Sequence, residues 1–170
     1  GTRIARLKRR RGPLGAAAPA KMRGVRQEFA DTGDTKCTAR GIARVGGTGG
    51  HSSGDIFATI APDLWRLRDT NGDGILDWKE SISHGYSVHP SFSGHDMSAL
   101  AQGPDGMIYW KIGEIGMNVV DKTGKRWAHP HTGAVLRSNP DGTDFEVYAY
   151  GVRNPQEIAF DDYGNLISAD

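Results

Sequence analysis

The most chemically pointed stretch of this 170-residue chain runs from Asp69 to Glu80. Asp69, Asn71 and Asp73 put oxygens at positions one, three and five of a twelve-residue loop. Gly74 permits the sharp turn at six, Ile75 offers its carbonyl at seven, Asp77 stands at nine and Glu80 is available as a bidentate ligand at twelve. Hard oxygen groups at this density repel one another unless a divalent cation sits among them, so the spacing predicts a Ca²⁺ loop. The run before it, Asp63 to Arg68, is strand-like. The loop is therefore expected to be EF-hand-like in its ligands and structural in its role, a clamp rather than a helix-loop-helix sensor. A second constellation is more dispersed. Shifting the chain by 58 residues lays His95 on Arg153 and Asp96 on Asn154. A neutral imidazole accepts a proton near neutral pH, and a guanidinium stays charged and can stabilise developing negative charge. If the shift reflects a repeat wound about an axis, a proton acceptor and a permanent cation meet beside one axial pocket. Taken singly, His95 reads as a turn histidine and Arg153-Asn154-Pro155 as an ordinary entry into a strand. His84, His89, His129 and His131 read as surface residues.

The elements that must position these residues are short strands. Asp55–Ile60 and Asp63–Arg68 form two β-rich runs split by Ala61-Pro62, with Leu64 and Arg66 on one face of the second and Trp65 and Leu67 on the other. Farther on, Gly103-Pro104-Asp105-Gly106, Asn139-Pro140-Asp141-Gly142 and Asp161-Asp162-Tyr163-Gly164 are turn signals, each flanked by apolar runs. The first and third of these hairpins align without a gap: Leu100-Ala101 on Ile158-Ala159, Gly106 on Gly164, Ile108 on Leu166. Recurrent hairpins at a fixed period predict the blades of an all-β propeller. A period of 58 residues exceeds the usual blade repeat, which predicts an insertion within 118–132.

Composition sets the outer limits. Hydrophobic residues make up 37% and charged residues 24%, enough for a packed core, and the 24 glycines favour turns over long helices. No run of eighteen apolar residues is present, so no helical membrane span is expected. A single cysteine, Cys37, excludes an intrachain disulfide framework. The net charge of +1 conceals a division: residues 1–50 carry twelve Lys/Arg against three Asp/Glu, and residues 51–170 carry nine against seventeen. The first segment, 1–53, has no sustained hydrophobic period and too few large apolar groups to offset chain entropy, which predicts disorder. Its run Leu7-Lys8-Arg9-Arg10-Arg11 has no interleaved aromatics. It reads as a solvated or non-native basic tail rather than a nucleic-acid arm, and no nucleic-acid partner is expected.

Three motifs then carry a family resemblance. Gly94-His95-Asp96 followed by Gly103-Pro104-Asp105-Gly106-Met107-Ile108-Tyr109 and Ile112-Gly113-Glu114 is the first. Gly133-Ala134-Val135-Leu136-Arg137-Ser138-Asn139 with Asp141-Gly142 is the second. Gly151-Val152-Arg153-Asn154-Pro155-Gln156 with Ile158-Ala159-Phe160 is the third. In this order they resemble the soluble sugar dehydrogenase superfamily that depends on pyrroloquinoline quinone (PQQ). The wording around the calcium loop is closest to the large membrane-bound dehydrogenases of environmental bacteria. The resemblance implies an all-β fold over 54–170, a partial propeller amounting to roughly half of a six-bladed ring. It implies oxidation of a sugar or polyol hydroxyl by hydride transfer to PQQ. His95 would be the general base, with Arg153 and Asn154 against the quinone oxygens. It further implies a cytochrome c acceptor, a periplasmic location and membrane association only through segments outside this chain. The competing expectation is a calcium-stabilised propeller that binds carbohydrate or protein without catalysis.

Overall fold

The computed structural model describes residues 54–73, 75–89 and 94–170, together with the backbone of 41–45. Every regular element among them is a strand: β1 (Gly41–Val45), β2 (Asp55–Ile60), β3 (Asp63–Arg68), β4 (Trp78–His84), β5 (Ser98–Gln102), β6 (Ile108–Ile112), β7 (Met117–Val120), β8 (Arg126–His129), β9 (Gly133–Ser138), β10 (Glu146–Val152), β11 (Glu157–Phe160) and β12 (Leu166–Ala169). They form four small antiparallel sheets, ordered β1-β2-β3-β4, β10-β9-β6-β5, β11-β12 and β7-β8.

This is the arrangement of a partial propeller. The first sheet is a four-stranded meander, as a blade is. The second becomes one once the hairpin β7–β8 is set aside, because β5, β6, β9 and β10 then follow in both sequence and space. That hairpin occupies the stretch in which the long repeat predicts an insertion. β11 and β12 repeat β5 and β6, with Phe160 paired to Leu166 across the turn as Gln102 is to Ile108. β5 lies beside both β1 and β11. The first strands of three successive units are therefore neighbours, as the innermost strands around an axis must be.

The turns follow from their residues. Gly106, Gly142 and Gly164 all have φ near +80° and close i→i+3 turns by donating to the carbonyls of Gly103, Asn139 and Asp161. The packing follows from alternation. On β6, Ile108, Trp110 and Ile112 face the first sheet and join Phe57, Leu64, Met97 and Leu136 in the main core. Tyr109 belongs to a second layer with Ala99, Val135 and Ile158, against β11 and β12. β6 is thus buried on both faces. Ile56, Ala58, Ile60, Leu67 and Leu76 cover the far face of the first sheet.

One expectation needs correction. The segment 1–53, read as structureless, contains strand β1, which pairs along β2 from Gly41↔Thr59 to Val45↔Asp55. A five-residue edge strand is stabilised by the open ladder of its neighbour, which composition does not register. Residues 1–40 and 46–53 lie outside the described residues.

Candidate active site

His95 lies just before β5 and Glu114 just after β6. The β5–β6 register pairs Ser98 with Lys111. Extending that hairpin three residues outward puts His95 opposite Glu114. Their side chains meet, Nδ1 of His95 standing 2.6 Å from Oε1 of Glu114. Arg153 follows β10, whose end lies beside the start of β9, and β9 pairs with β6. Its Nε comes to 3.8 Å from the same Oε1. One carboxylate therefore joins the two residues that the repeat predicts to meet. Glu114 has a place in the motif that carries the family resemblance, but sequence spacing gave it no role. The signal was available in the symmetry of the hairpin about the Gly103–Gly106 turn.

The backbone makes room for this meeting at Gly113. A Cβ there would lie 2.2 Å from the His95 carbonyl oxygen and 2.8 Å from Oδ1 of Asn154, so any side chain would push the two strand ends apart. Beside it, Asp170 accepts hydrogen bonds from the backbone N–H groups of Arg153 (3.0 Å) and Asn154 (2.6 Å). Asn154 is 8% exposed. The Arg153 side chain is 71% exposed, whereas those of His95 and Glu114 are 16% and 29% exposed. The guanidinium thus faces outward over a more sheltered acid–base pair.

The electrostatics are consistent in sign. Partial burial opposes ionisation of Glu114, yet the His95 hydrogen bond, with the charges of His95 and Arg153, holds its carboxyl below the usual range. The N–H groups of Arg153 and Asn154 lower that of Asp170. An ionised carboxylate only accepts, so in the neutral form of His95 Nδ1 carries the proton and Nε2 the lone pair. Glu114 is placed to fix the tautomer and the ring plane. The carbonyl of Asp96, the sequence neighbour of His95, accepts from Lys111.

The calcium expectation fares differently. The loop joins β3 to β4, and Arg68 pairs with Trp78 at its neck. Its polar side chains bond the loop itself. Asp69 accepts from Gly72 N–H, Asn71 from Asp73 N–H and Asp73 from Ile75 N–H. Both carboxylate oxygens of Asp77 are taken by Thr70. Glu80 is drawn into the β3–β4 ladder opposite Arg66, instead of folding over the loop. No group of three His, Cys, Asp or Glu side chains converges among the described residues. The side chains of Asp69, Asn71, Asp73 and Asp77 are thus engaged in turn hydrogen bonds, with Ile75 donating its N–H to Asp73 and Glu80 lying on β4, and Ca²⁺ finds no support in this geometry. Gly74 lies outside the described residues.

A family model described as a domain of unknown function, DUF7133, matches residues 50–170. The chain belongs to the DUF7133 family. That match takes in all strands from β2 to β12 and every residue of the site. Among curated proteins, quinoprotein glucose dehydrogenase B of Acinetobacter calcoaceticus is 32% identical over an aligned stretch covering 48% of this chain and 22% of the relative. This DUF7133 chain is thus distantly similar to a quinoprotein dehydrogenase and spans about a fifth of that relative's length. No solved structure matches it.

Proposed function

We propose that the chain supplies one side of the redox site of a quinoprotein dehydrogenase that oxidises a sugar or polyol hydroxyl with PQQ as cofactor. The observation that carries this reading is the convergence of His95 and Arg153 on Glu114. The likeness to a protein named as a quinoprotein glucose dehydrogenase supports it. The residues suit the cofactor chemically. A flat, anionic, oxygen-rich ring system needs a cation and hydrogen-bond donors at its edge, and Arg153 with the carboxamide of Asn154 offers both.

PQQ, when bound, supplies the two-electron acceptor to which the substrate carbon gives its hydride. The chain's own residues do the rest. His95 takes the hydroxyl proton at Nε2 while Nδ1 stays bonded to Glu114. Glu114 stabilises the imidazolium that results, as an adjacent carboxylate does. Arg153 places a permanent charge where negative charge develops on an oxygen. As part of the same reading, the whole protein works in the periplasm and passes electrons to a cytochrome c.

The test uses the full-length protein incubated with PQQ, a panel of aldoses and polyols, and an artificial dye. Dye reduction is expected, falling by roughly 10²–10⁴-fold in His95→Gln, the range for loss of a general base. No PQQ binding by the unaltered protein, or undiminished turnover in His95→Gln, would refute the assignment. A propeller that merely binds carbohydrate would retain the sugar and reduce no dye.

A further inference from the structure

Lys111 is the penultimate residue of β6 and is fully buried. Neither the motifs nor the acid–base pair gives it a task, and a buried lysine is costly to keep. Its Nζ donates to Oδ1 of Asn154 at 2.9 Å and to the carbonyl of Asp96 at 3.3 Å. One ammonium therefore ties the residue after His95 to the residue after Arg153. The charge of Asp170, which holds the Asn154 backbone, also reaches Lys111.

The chemistry of the pair fixes an orientation. Lysine only donates, so the Asn154 atom that faces it must be the carboxamide oxygen. With Oδ1 held, the amide NH₂ is the end of the side chain turned away from Lys111. Unconstrained, an asparagine can present either end to a ligand; bonded in this way it presents a donor. Resting on the dehydrogenase reading above, we propose that Lys111 is a positioning residue that locks Asn154 as a hydrogen-bond donor, so that the site selects ligands offering acceptor oxygens beside the Arg153 cation. Lys111 touches neither substrate nor cofactor in this scheme. It acts through Asn154.

The test is a double-mutant cycle on the full-length protein, read by thermal melting and by PQQ titration. Asn154→Asp keeps an oxygen toward Lys111 and replaces the donor with an acceptor. It is expected to leave the melting temperature near that of the unaltered protein while weakening PQQ binding by roughly tenfold or more, as loss of a hydrogen bond to a charged ligand does. Lys111→Met keeps the stem and removes the donor; it should weaken PQQ binding by a similar factor. In the Lys111→Met background, Asn154→Asp buries an unpaired carboxylate and should lower the melting temperature sharply. An equal effect of Asn154→Asp on melting in both backgrounds would overturn the inference, as would unchanged PQQ affinity in a well-folded Lys111→Met protein. If the unaltered protein does not bind PQQ, the dehydrogenase reading fails, and the melting cycle still decides whether Lys111 orients Asn154.

Discussion

At the scale of single residues, the site depends on close approach. Gly113→Ala is expected to destabilise the protein by about 1–3 kcal/mol, the usual cost of forcing atoms into a filled space, because its Cβ would meet the His95 backbone as well as the Asn154 side chain. Chemical denaturation measures this directly. Glu114→Gln removes the carboxylate and keeps the shape; in the proposed site activity should fall while PQQ affinity changes little, since Glu114 bonds His95. A kcat comparison together with a PQQ titration of the two proteins checks that split. His95 and Arg153 were legible from the repeat because equivalent positions of a repeat share a location. Glu114 was legible only through hairpin register. Lys111 was not legible at all. A lysine in a strand reads as solvent-facing, and only the second layer under β11 and β12 makes its face an interior one.

At the scale of elements, the hairpin β7–β8 depends on one side chain. Asp121 accepts from the N–H and hydroxyl of Thr123, the N–H of Lys125 and Nε1 of Trp127. These bonds, with the Thr123 side chain foremost, lower its pKa to about 2. The folded value is depressed, so the contribution of Asp121 is fully present above the ordinary aspartate value of about 3.9 and is lost as pH falls toward 2. Trp127 fluorescence should therefore change over that acid window, and the change should vanish in Asp121→Asn. The strand β6 makes a different prediction. Trp110 is fully buried in the main core, and Trp110→Ala should cost about 3–5 kcal/mol in a denaturant titration. The turns and strands were readable because glycine at positive φ and alternating apolar residues leave few options. The sequence of the 69–80 loop fits two readings for a related reason. Asp, Asn and Gly at these spacings are demanded equally by a metal loop and by a chain of side-chain-to-backbone turns. β1 escaped notice because its pairing, rather than its composition, stabilises it.

At the scale of the whole molecule, a propeller end collects residues far apart in sequence. The site draws on the approach to β5, the exit of β6, the link from β10 to β11 and the residue after β12. All lie at one end of the second sheet and the adjoining hairpin. Blade topology was legible from the offset of 58 residues, and of the motif residues Gly94–Asp96, Gly113–Glu114 and Arg153–Asn154 fall on the connections at this end. Everything functional in the account requires that His95, Glu114 and Arg153 share one place. The most direct measurement is the ¹⁵N spectrum of His95 in the full-length protein at neutral pH. The expected result is an imidazole protonated at Nδ1 and bare at Nε2, reverting to mixed tautomers in Glu114→Leu, which has no acceptor. A His95 protonated at Nε2 in the unaltered protein, or one whose tautomer is indifferent to Glu114→Leu, would contradict the convergence of the three residues.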